Sequence, residues 1–250
     1  MRILIVGAVL SVSCISAFAD ETDSSRVHDW SGVSVGIFGG GAWSSFDQTE
    51  LYTEAFGGSW YFPPGPNPDY SYRDNSVFYG MQADWTHQSG QVVYGIGAEL
   101  GSMNIALTED DPNALPIPFP GPSGPVTDLD AGYFGSLTGR LGVASDRFLI
   151  YLRGGIALME VDVENTDECG RSFCGQITID AKANEVLPGF TAGAGIEFAI
   201  NDNFSAGLEY RAYGFSDFEV SGIGSNLLEY EQTINPDIIH TARLTLNYRF

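Results

Sequence analysis

Two-residue alternation over long stretches constrains the fold of this chain more than any other feature. In the last stretch, 237–250, the even positions carry mostly apolar or aromatic side chains and the odd positions mostly polar or charged ones. The stretch 131–144 shows the same alternation, but there the apolar side chains are mostly at the odd positions. Because successive side chains of a β-strand point to opposite faces, this period predicts strands and not helices.

Eight stretches of this kind occur, and the connections between them alternate in length. Three connections are short turns, at 88–90, 145–147 and 201–203, and the first two long ones hold ten of the twelve prolines. Short turns at one end and long loops at the other are typical of a membrane barrel. We therefore predict an all-β, eight-stranded antiparallel up-and-down transmembrane β-barrel. The predicted strands lie near 32–43, 76–87, 91–104, 131–144, 148–160, 187–200, 204–216 and 237–250, and the long loops near 47–75, 107–130, 161–186 and 217–236.

Charged side chains within the predicted strands fall on the polar, glycine-rich face. An eight-stranded barrel is just wide enough for side chains to fill its interior, and a buried charge is tolerated when it is paired. We therefore expect a compensated ionic plug and not an open aqueous pore, with the apolar face toward lipid. A soluble lipocalin-like barrel, the alternative fold, would need an apolar interior and a polar exterior. The predicted charge network consists of Asp84, Glu99, Arg140, Arg153, Glu197, Glu209, Arg211 and Arg243.

The N-terminus has the order of a secretory signal peptide. Arg2 precedes an apolar run, and Ala17-Phe18-Ala19 supplies small residues at the cleavage site. A lipoprotein signal ending at Cys14 is the alternative, but the expected leucine before that cysteine is missing. The predicted division of the chain is a signal peptide at 1–19, a short periplasmic segment at 20–29 and an outer-membrane β-barrel with four long external loops at 30–250.

The balance of charge is strongly acidic. Removing the predicted signal peptide takes away one arginine and no acid, which changes the net charge from −21 to −22. A nucleic-acid-binding surface must neutralise phosphates, so this balance excludes nucleic acid as the main partner. Most of the acids fall in the long loops, which predicts an anionic outer surface. We expect that surface to lie among outer-membrane lipid and lipopolysaccharide, with divalent cations bridging phosphates and loops.

Two cysteines remain after the predicted signal peptide. Cys169 and Cys174 are close in sequence in an exported chain, so we expect a loop disulfide formed in the oxidising periplasm. A metal site would need further cysteine or histidine nearby, and His28, His87 and His240 are distant in sequence. The sequence therefore predicts no metal and no cofactor.

Two segments resemble a known family. Trp30-Ser-Gly-Val-Ser-Val-Gly-Ile-Phe-Gly-Gly-Gly-Ala-Trp43 is similar to the opening of the small outer-membrane β-barrel proteins related to the membrane domain of outer membrane protein A, with valine at a usually aromatic position. The ending His240-Thr-Ala-Arg-Leu-Thr-Leu-Asn-Tyr-Arg-Phe250 is similar to their closing strand. Because the chain stops at Phe250, it resembles the barrel-only members, which include porin-family and hemin-binding-like proteins.

The resemblance implies a location, partners and a role. The location is the outer membrane of a Gram-negative bacterium, with the loops facing outside. The closing strand implies recognition by the barrel-assembly machinery, with Leu246, Tyr248 and Phe250 as the C-terminal assembly signal. Because members of the resembling family have roles in envelope integrity, we expect a structural, surface-exposed barrel whose acidic loops make surface interactions. The alternatives are a hemin-binding or adhesin-type protein that contacts a host surface, or a narrow pore.

Two sharper functions depend on individual side chains. His87-Gln88-Ser89 is spelled like the His-x-Ser pair of some lipid A-modifying barrels, but it falls in a predicted periplasmic turn without an evident orienting acid, so we expect no enzyme. Hemin capture would need an accessible axial histidine or tyrosine. The side chains of that type near the predicted outer end are Tyr52, Tyr61, Tyr70, Tyr72 and His240.

Overall fold

The computed structural model describes residues 27–52, 69–110, 125–169, 177–223 and 229–250. Among these residues no helix is long and apolar enough to cross a membrane. The predicted signal peptide lies outside them, as does most of the segment 20–29, so that division of the chain stays a prediction. The strands are β1 (Gly32–Tyr52), β2 (Asp69–Ser89), β3 (Val92–Asp110), β4 (Pro125–Ser145), β5 (Phe148–Cys169), β6 (Ile177–Ala199), β7 (Phe204–Phe215), β8 (Phe218–Ile223), β9 (Glu229–Pro236) and β10 (Ile239–Arg249).

All ten strands belong to one antiparallel sheet that closes on itself. β1 to β7 pair in chain order, β7 pairs with β10, and β10 pairs with β1. β8 and β9 pair with each other, and β9 also pairs with the outer part of β1, so they continue the lines of β7 and β10. Eight strand positions therefore surround the barrel, and the predicted fold class is confirmed.

Apolar side chains cover the outside of the barrel over the part next to the short turns, here called the membrane portion. Along β10 the odd residues are buried, whereas Leu244 is 68% exposed and Leu246 is 45% exposed. Similar side chains are exposed around the circumference, including Ile37, Met81, Ile96, Leu141, Ile150, Leu152, Ile156, Phe190 and Leu208. This is the reverse of a lipocalin-like soluble barrel, so that alternative is wrong.

Aromatic side chains mark the end of the barrel at the short turns. The ring of Phe148 lies 4.9 Å from that of Phe198, and the ring of Tyr248 lies 5.0 Å from that of Phe250. These four side chains and Trp85 are exposed, as predicted for an interfacial girdle. Short turns are periplasmic in barrels of this kind, so the long connections lie on the external side.

β1 to β6 extend beyond their predicted outer ends, and the separate strands β8 and β9 occupy much of the predicted loop 217–236, which corrects the predicted loop boundaries. Acids occupy many outward positions beyond the predicted ends, yet the alternation of buried and exposed side chains continues there. Asp128 and Asp130 are exposed, and Leu129 between them is buried. This outer portion consists of 44–52 of β1, 69–76 of β2, 103–110 of β3, 125–132 of β4, 160–169 of β5, 177–187 of β6, and β8 and β9.

The outer portion divides into two four-stranded sheets. The β2–β3 ladder runs outward only as far as Tyr79 and Ser102, and the β6–β7 ladder only as far as Gly189 and Phe215. Beyond these points one sheet has the order β8-β9-β1-β2 and the other β3-β4-β5-β6. The barrel is therefore continuous in its membrane portion and has two lateral seams above it.

An apolar core fills the barrel from the level of Phe38, Phe78 and Phe134 outward, so the predicted ionic plug does not extend through the whole lumen. The ring of Phe78 lies 5.3 Å from that of Phe38 and 5.9 Å from that of Phe134. Both outer sheets contribute to this core, with Met103, Ile105, Met159, Val161, Val220 and Ile234 each at most 1% exposed. Because the wall of the outer portion meets water, polar side chains face out and apolar ones face in.

A register shift in β4 lies between the buried-residue pattern of the membrane portion and that of the outer portion. Between Ala131 and Phe134 the pairing with β5 slips, and the buried positions change from odd to even. A bulge inserts an extra residue that reverses which side chains face the core. The alternation of 131–144 therefore does not continue into the outer portion with the same parity.

A charge on the lipid-facing wall tests the assignment of the faces. Leu244 lies midway along the outward row of β10, so Leu244→Arg is expected to destabilise the folded barrel by about 2–4 kcal/mol. The matched control is Asn235→Arg on the exposed face of β9, which is expected to change stability by less than about 0.5 kcal/mol. The measurement is denaturant unfolding in lipid vesicles. Equal effects of the two substitutions would contradict the assignment.

Candidate functional site

The eight charged residues predicted to share the lumen come from seven different strands, and all of them point inward. Each is at most 5% exposed. Two-residue alternation explains this convergence, because each of these residues shares the inward parity of its strand. The set consists of Asp84 on β2, Glu99 on β3, Arg140 on β4, Arg153 on β5, Glu197 on β6, Glu209 and Arg211 on β7, and Arg243 on β10.

Four of these side chains form a closed ring of alternating charge, here called the central ring. Arg243 places Nη1 2.8 Å from Glu99 Oε2 and Nη2 2.6 Å from Glu209 Oε1. Arg211 bridges the same two carboxylates, with Nη2 2.5 Å from Glu209 Oε1 and Nη1 paired to Glu99. Each guanidinium therefore contacts both acids, and each acid contacts both guanidiniums.

Neutral hydrogen-bond donors complete the surroundings of the central ring. The hydroxyls of Tyr213 and Ser136 each donate to Glu99 Oε1 at 2.8 Å. The Tyr151 hydroxyl donates to Glu209 Oε2 at 2.7 Å. A buried carboxylate must replace its hydration with protein donors, and these contacts supply them.

Two further ion pairs lie between the central ring and the periplasmic end. Arg153 Nη2 is 2.8 Å from Asp84 Oδ1, and Arg140 pairs with Glu197. Glu197 also accepts hydrogen bonds from Ser205 at 2.6 Å and Asn247 at 3.1 Å. The guanidinium carbon of Arg140 lies 3.7 Å from the centre of the Tyr151 ring. Arg140 and Arg153 face each other directly across β4 and β5, so each needs its own acid.

Inward glycines leave the space that these long side chains occupy. A Cβ atom at Gly195 would lie 2.5 Å from the Tyr151 hydroxyl, and one at Gly97 would overlap the Asp84 carboxylate. Glycines share the inward face with the charges, as predicted from the alternation, and this close approach is the physical reason.

Trp30 and Arg249 close the periplasmic end, and the predicted charge network does not include them. The Trp30 side chain is 0% exposed, and the Arg249 guanidinium carbon lies 5.1 Å from the centre of its ring. Arg249 also donates to the Trp30 carbonyl, and the Trp30 amide donates to Gln88 Oε1 at 2.8 Å. The inward parity of Arg249 is a signal in the sequence, but no local pattern shows that Trp30 folds under the barrel.

The residues next to Trp30 attach the segment 28–31, here called the Trp30 segment, to the short turns at the periplasmic end. The amide of His28 donates to the Asp146 carbonyl at 2.8 Å. The imidazole ring of His28 packs edge-on against the Trp30 ring. Burial, together with the positive charge of Arg249, lowers the pKa of His28 from its usual value. Hydrogen bonds from Ser31 lower the pKa of Asp29. At neutral pH the segment therefore carries an anionic Asp29 beside a neutral His28.

The remaining predicted site residues lie at the strand ends. Cys169 ends β5 and Cys174 lies outside the described residues, so the disulfide stays a prediction. Leu246, Tyr248 and Phe250 are exposed on the lipid-facing side of the membrane portion. Their role as an assembly signal also stays a prediction. Among the described ranges there is no group of three or more histidine, cysteine or acidic side chains placed to hold a metal ion.

Removal of one charge from the central ring tests how strongly the ring stabilises the barrel. Glu99→Gln leaves two buried guanidiniums that share one carboxylate, so the free energy of unfolding is expected to fall by about 3–5 kcal/mol. The control Glu219→Gln on the exposed face of β8 is expected to change it by less than about 0.5 kcal/mol. Denaturant unfolding in vesicles measures both. A loss below about 1 kcal/mol at Glu99 would show that the ring is not a main source of stability.

Comparisons with known proteins agree with this architecture. Residues 5–250 match the family model described as outer membrane protein beta-barrel domain. The chain is 27% identical over 239 residues to a 22 kDa outer membrane protein of Rhizobium leguminosarum bv. viciae, covering 88% of this chain and 87% of that protein. It is 25% identical to a 31 kDa outer-membrane immunogenic protein of Brucella melitensis biotype 1 over the full length of both. Neither of these names describes an enzyme.

Solved structures of outer-membrane proteins also resemble the chain. Outer membrane protein OprG from Pseudomonas aeruginosa is 10% identical, with a TM-score of 0.45 and coverage of 90% of this chain and 99% of that one. The family model spans nearly the whole sequence. The protein is therefore a member of the outer membrane protein beta-barrel family and resides in the outer membrane of a Gram-negative bacterium.

Proposed function

We propose that the protein is a structural, surface-exposed component of the outer membrane that supports envelope integrity and does not conduct. The observation that carries the proposal is the filled interior. The Trp30 segment, the ion pairs with the central ring, and the apolar core follow one another along the barrel axis. Open conduction needs a continuous water path, and such a path is incompatible with side chains packed at each of these levels.

The central ring supports the structural part of this proposal because it joins strands that are distant around the barrel. Glu99 on β3 is linked through Arg211 and Arg243 to β7 and β10. Arg153 on β5 joins the same network, with Nε 3.8 Å from Glu209 Oε2. Cross-barrel pairs of this kind oppose flattening of the cylinder, which suits a protein that bears load in the envelope.

The outer portion supports the surface-interaction part of the proposal. On β4 and β5, Asp128, Asp130 and Asp162 are exposed, and Asp130 stands opposite Asp162 in the ladder, whereas the neighbouring Glu164 is already paired with Lys182. Like charges placed opposite one another repel, so a cationic partner stabilises such a surface. Divalent cations that bridge to lipopolysaccharide phosphates are one such partner. The name of the Brucella relative, an immunogenic outer-membrane protein, agrees with exposure at the cell surface.

The adhesin-type alternative shares this acidic surface and predicts a cationic host partner. The hemin alternative has less support. His240 Nδ1 lies 2.6 Å from the Tyr210 hydroxyl on the exterior wall, so this histidine faces the membrane interface. Tyr61 lies outside the described residues, and Tyr52, Tyr70 and Tyr72 lie on β1 and β2 beside that gap. A hemin titration that shifts the Soret band at equimolar protein would favour hemin binding instead.

Bilayer recordings test the closed interior. The folded protein, reconstituted in a planar lipid bilayer, is expected to give no stable openings, and Trp30→Ala is expected to stay closed because the ring and the apolar core remain. Heat-modifiable gel mobility of the same sample verifies that the barrel is folded. Stable, large openings of the unmodified protein would contradict the proposal.

Protection from protease tests the cation-bridged surface. Chelation of divalent cations in intact cells is expected to increase cleavage of the outer portion, because the bridges to lipopolysaccharide are lost. A variant with Asp128→Asn, Asp130→Asn and Asp162→Asn is expected to be cleaved equally with and without chelator. If the unmodified protein is cleaved to the same extent with and without chelator, cation bridging is ruled out.

A further inference from the structure

The Trp30 segment closes the periplasmic end of the barrel without belonging to its sheet. It precedes β1, and a few hydrogen bonds join it to other elements. The His28 amide donates to the Asp146 carbonyl in the β4–β5 turn. The Trp30 amide donates to Gln88 Oε1 on β2, and Arg249 on β10 donates to the Trp30 carbonyl. A segment held by few contacts opens locally at a lower free energy than a paired strand, so this segment can leave the barrel while the strands stay paired.

The imidazole of His28 shares the Trp30 ring with a cation. It lies edge-on to that ring, with 4.8 Å between the ring centres, and the Arg249 guanidinium carbon lies 5.1 Å from the same ring centre. The His28 side chain is partly buried, and the neighbouring Val27 packs against the apolar cluster that contains Trp30. A proton on His28 therefore adds a second positive charge near Arg249, in a place with reduced access to water.

Charged groups from all the neighbouring elements surround His28. They are Arg249 on β10, Arg147 and Asp146 in the β4–β5 turn, Asp202 in the β6–β7 turn, and Asp29 next to it in the chain. The two arginines oppose protonation of His28, whereas Asp202 and Asp29 favour it. Burial is the largest effect, and together with Arg249 it lowers the pKa of His28 below its usual 6.5. The neutral ring is thus the form that suits the docked segment.

The direction of this pKa change determines the direction of the pH response. A released His28 regains its usual pKa, so the released segment binds a proton more readily than the docked one. The contribution of the neutral ring to docking is therefore complete above about pH 6.5 and is lost as the pH falls toward the lowered pKa of the docked form. Asp29 has a pKa below its usual 3.8 and stays ionised in this range.

We propose that the Trp30 segment is a latch on the periplasmic end of the barrel that mild acid releases, with His28 as the group that takes up the proton. Release exposes Arg249 to the periplasm and frees the chain that precedes β1. The central ring and the apolar core keep their contacts, so the barrel stays closed. The proposal concerns the periplasmic face and is independent of the partners of the outer portion.

Amide hydrogen exchange of the unmodified protein in lipid nanodiscs measures the latch directly. The Trp30 amide is protected by its hydrogen bond to Gln88 Oε1 at 2.8 Å, which exists only in the docked segment. Its protection factor, the intrinsic rate at each pH divided by the measured rate, is expected to fall at least about threefold from about pH 7.5 to about pH 5. Amides of the β1–β10 ladder near Ile37 and Leu246 are expected to keep their protection. An unchanged protection factor at Trp30 would overturn the proposal.

Two histidine variants assign the response. His28→Gln replaces the ring with a side chain that does not titrate, so the protection factor of the Trp30 amide is expected to change by less than about 1.5-fold over the same range. His87→Gln is the matched control, because His87 is exposed near the same end of the barrel and its ring contacts Tyr94, with 5.4 Å between the ring centres. This control is expected to respond as the unmodified protein does. An equal fall in His28→Gln and in the unmodified protein would overturn His28 as the sensor.

Nuclear magnetic resonance of the imidazole provides the reciprocal test. Because docking and protonation are coupled, whatever abolishes docking must also remove the effect of docking on the proton. Trp30→Ala removes the ring against which His28 packs, so the pKa of His28 is expected to rise toward its usual value. Heat-modifiable gel mobility verifies that the variant is folded. Titration of His28 at the same pH in the variant and in the unmodified protein would overturn the proposal.

Discussion

The central ring is the interaction on which the membrane portion depends. Glu99, Glu209, Arg211 and Arg243 are removed from water, and burial of isolated charges would cost several kcal/mol each. The cost is offset because every charge has two opposite partners, with neutral donors on the remaining lone pairs. Long side chains directed at one axis then require inward glycines beside them, such as Gly97 and Gly195. The choice of residues on the inner face follows from this single arrangement.

The same strands have an apolar outward face where lipid surrounds them and an apolar inward face where water surrounds them. On β5, Arg153 faces inward and Ile156 faces lipid, whereas further out Val161 faces inward and Asp162 faces water. An apolar outward face is favourable only where acyl chains cover it, and an apolar interior is favourable where the wall is solvated. The place where the polarity changes along each strand therefore marks the outer boundary of the membrane portion.

Alternation made the barrel and its charged face predictable because parity is a local property of the chain. Strand ends were not predictable in the same way, since Asp128 and Asp130 resemble loop residues until Leu129 is recognised as part of a second core. The bulge after Ala131 adds one residue that no local composition reveals. The contact between Trp30 and Arg249 joins positions 219 residues apart, so only barrel closure brings them together.

The position of the seams follows from the solvent outside the wall. In hydrocarbon an unpaired strand edge would leave amides and carbonyls without any partner, so the membrane portion must be fully laddered. Beyond it water satisfies those groups, and the barrel can separate into two sheets that share an apolar core. Pro188 lies where β7 gives way to β8, and Asn104, with a φ of 49°, lies just past the last β2–β3 pair. A residue without a donor and a residue outside the extended region are thus both located where the ladder is no longer required. Closure of the wall is a requirement of the lipid, and the outer portion keeps two open seams because water does not impose closure.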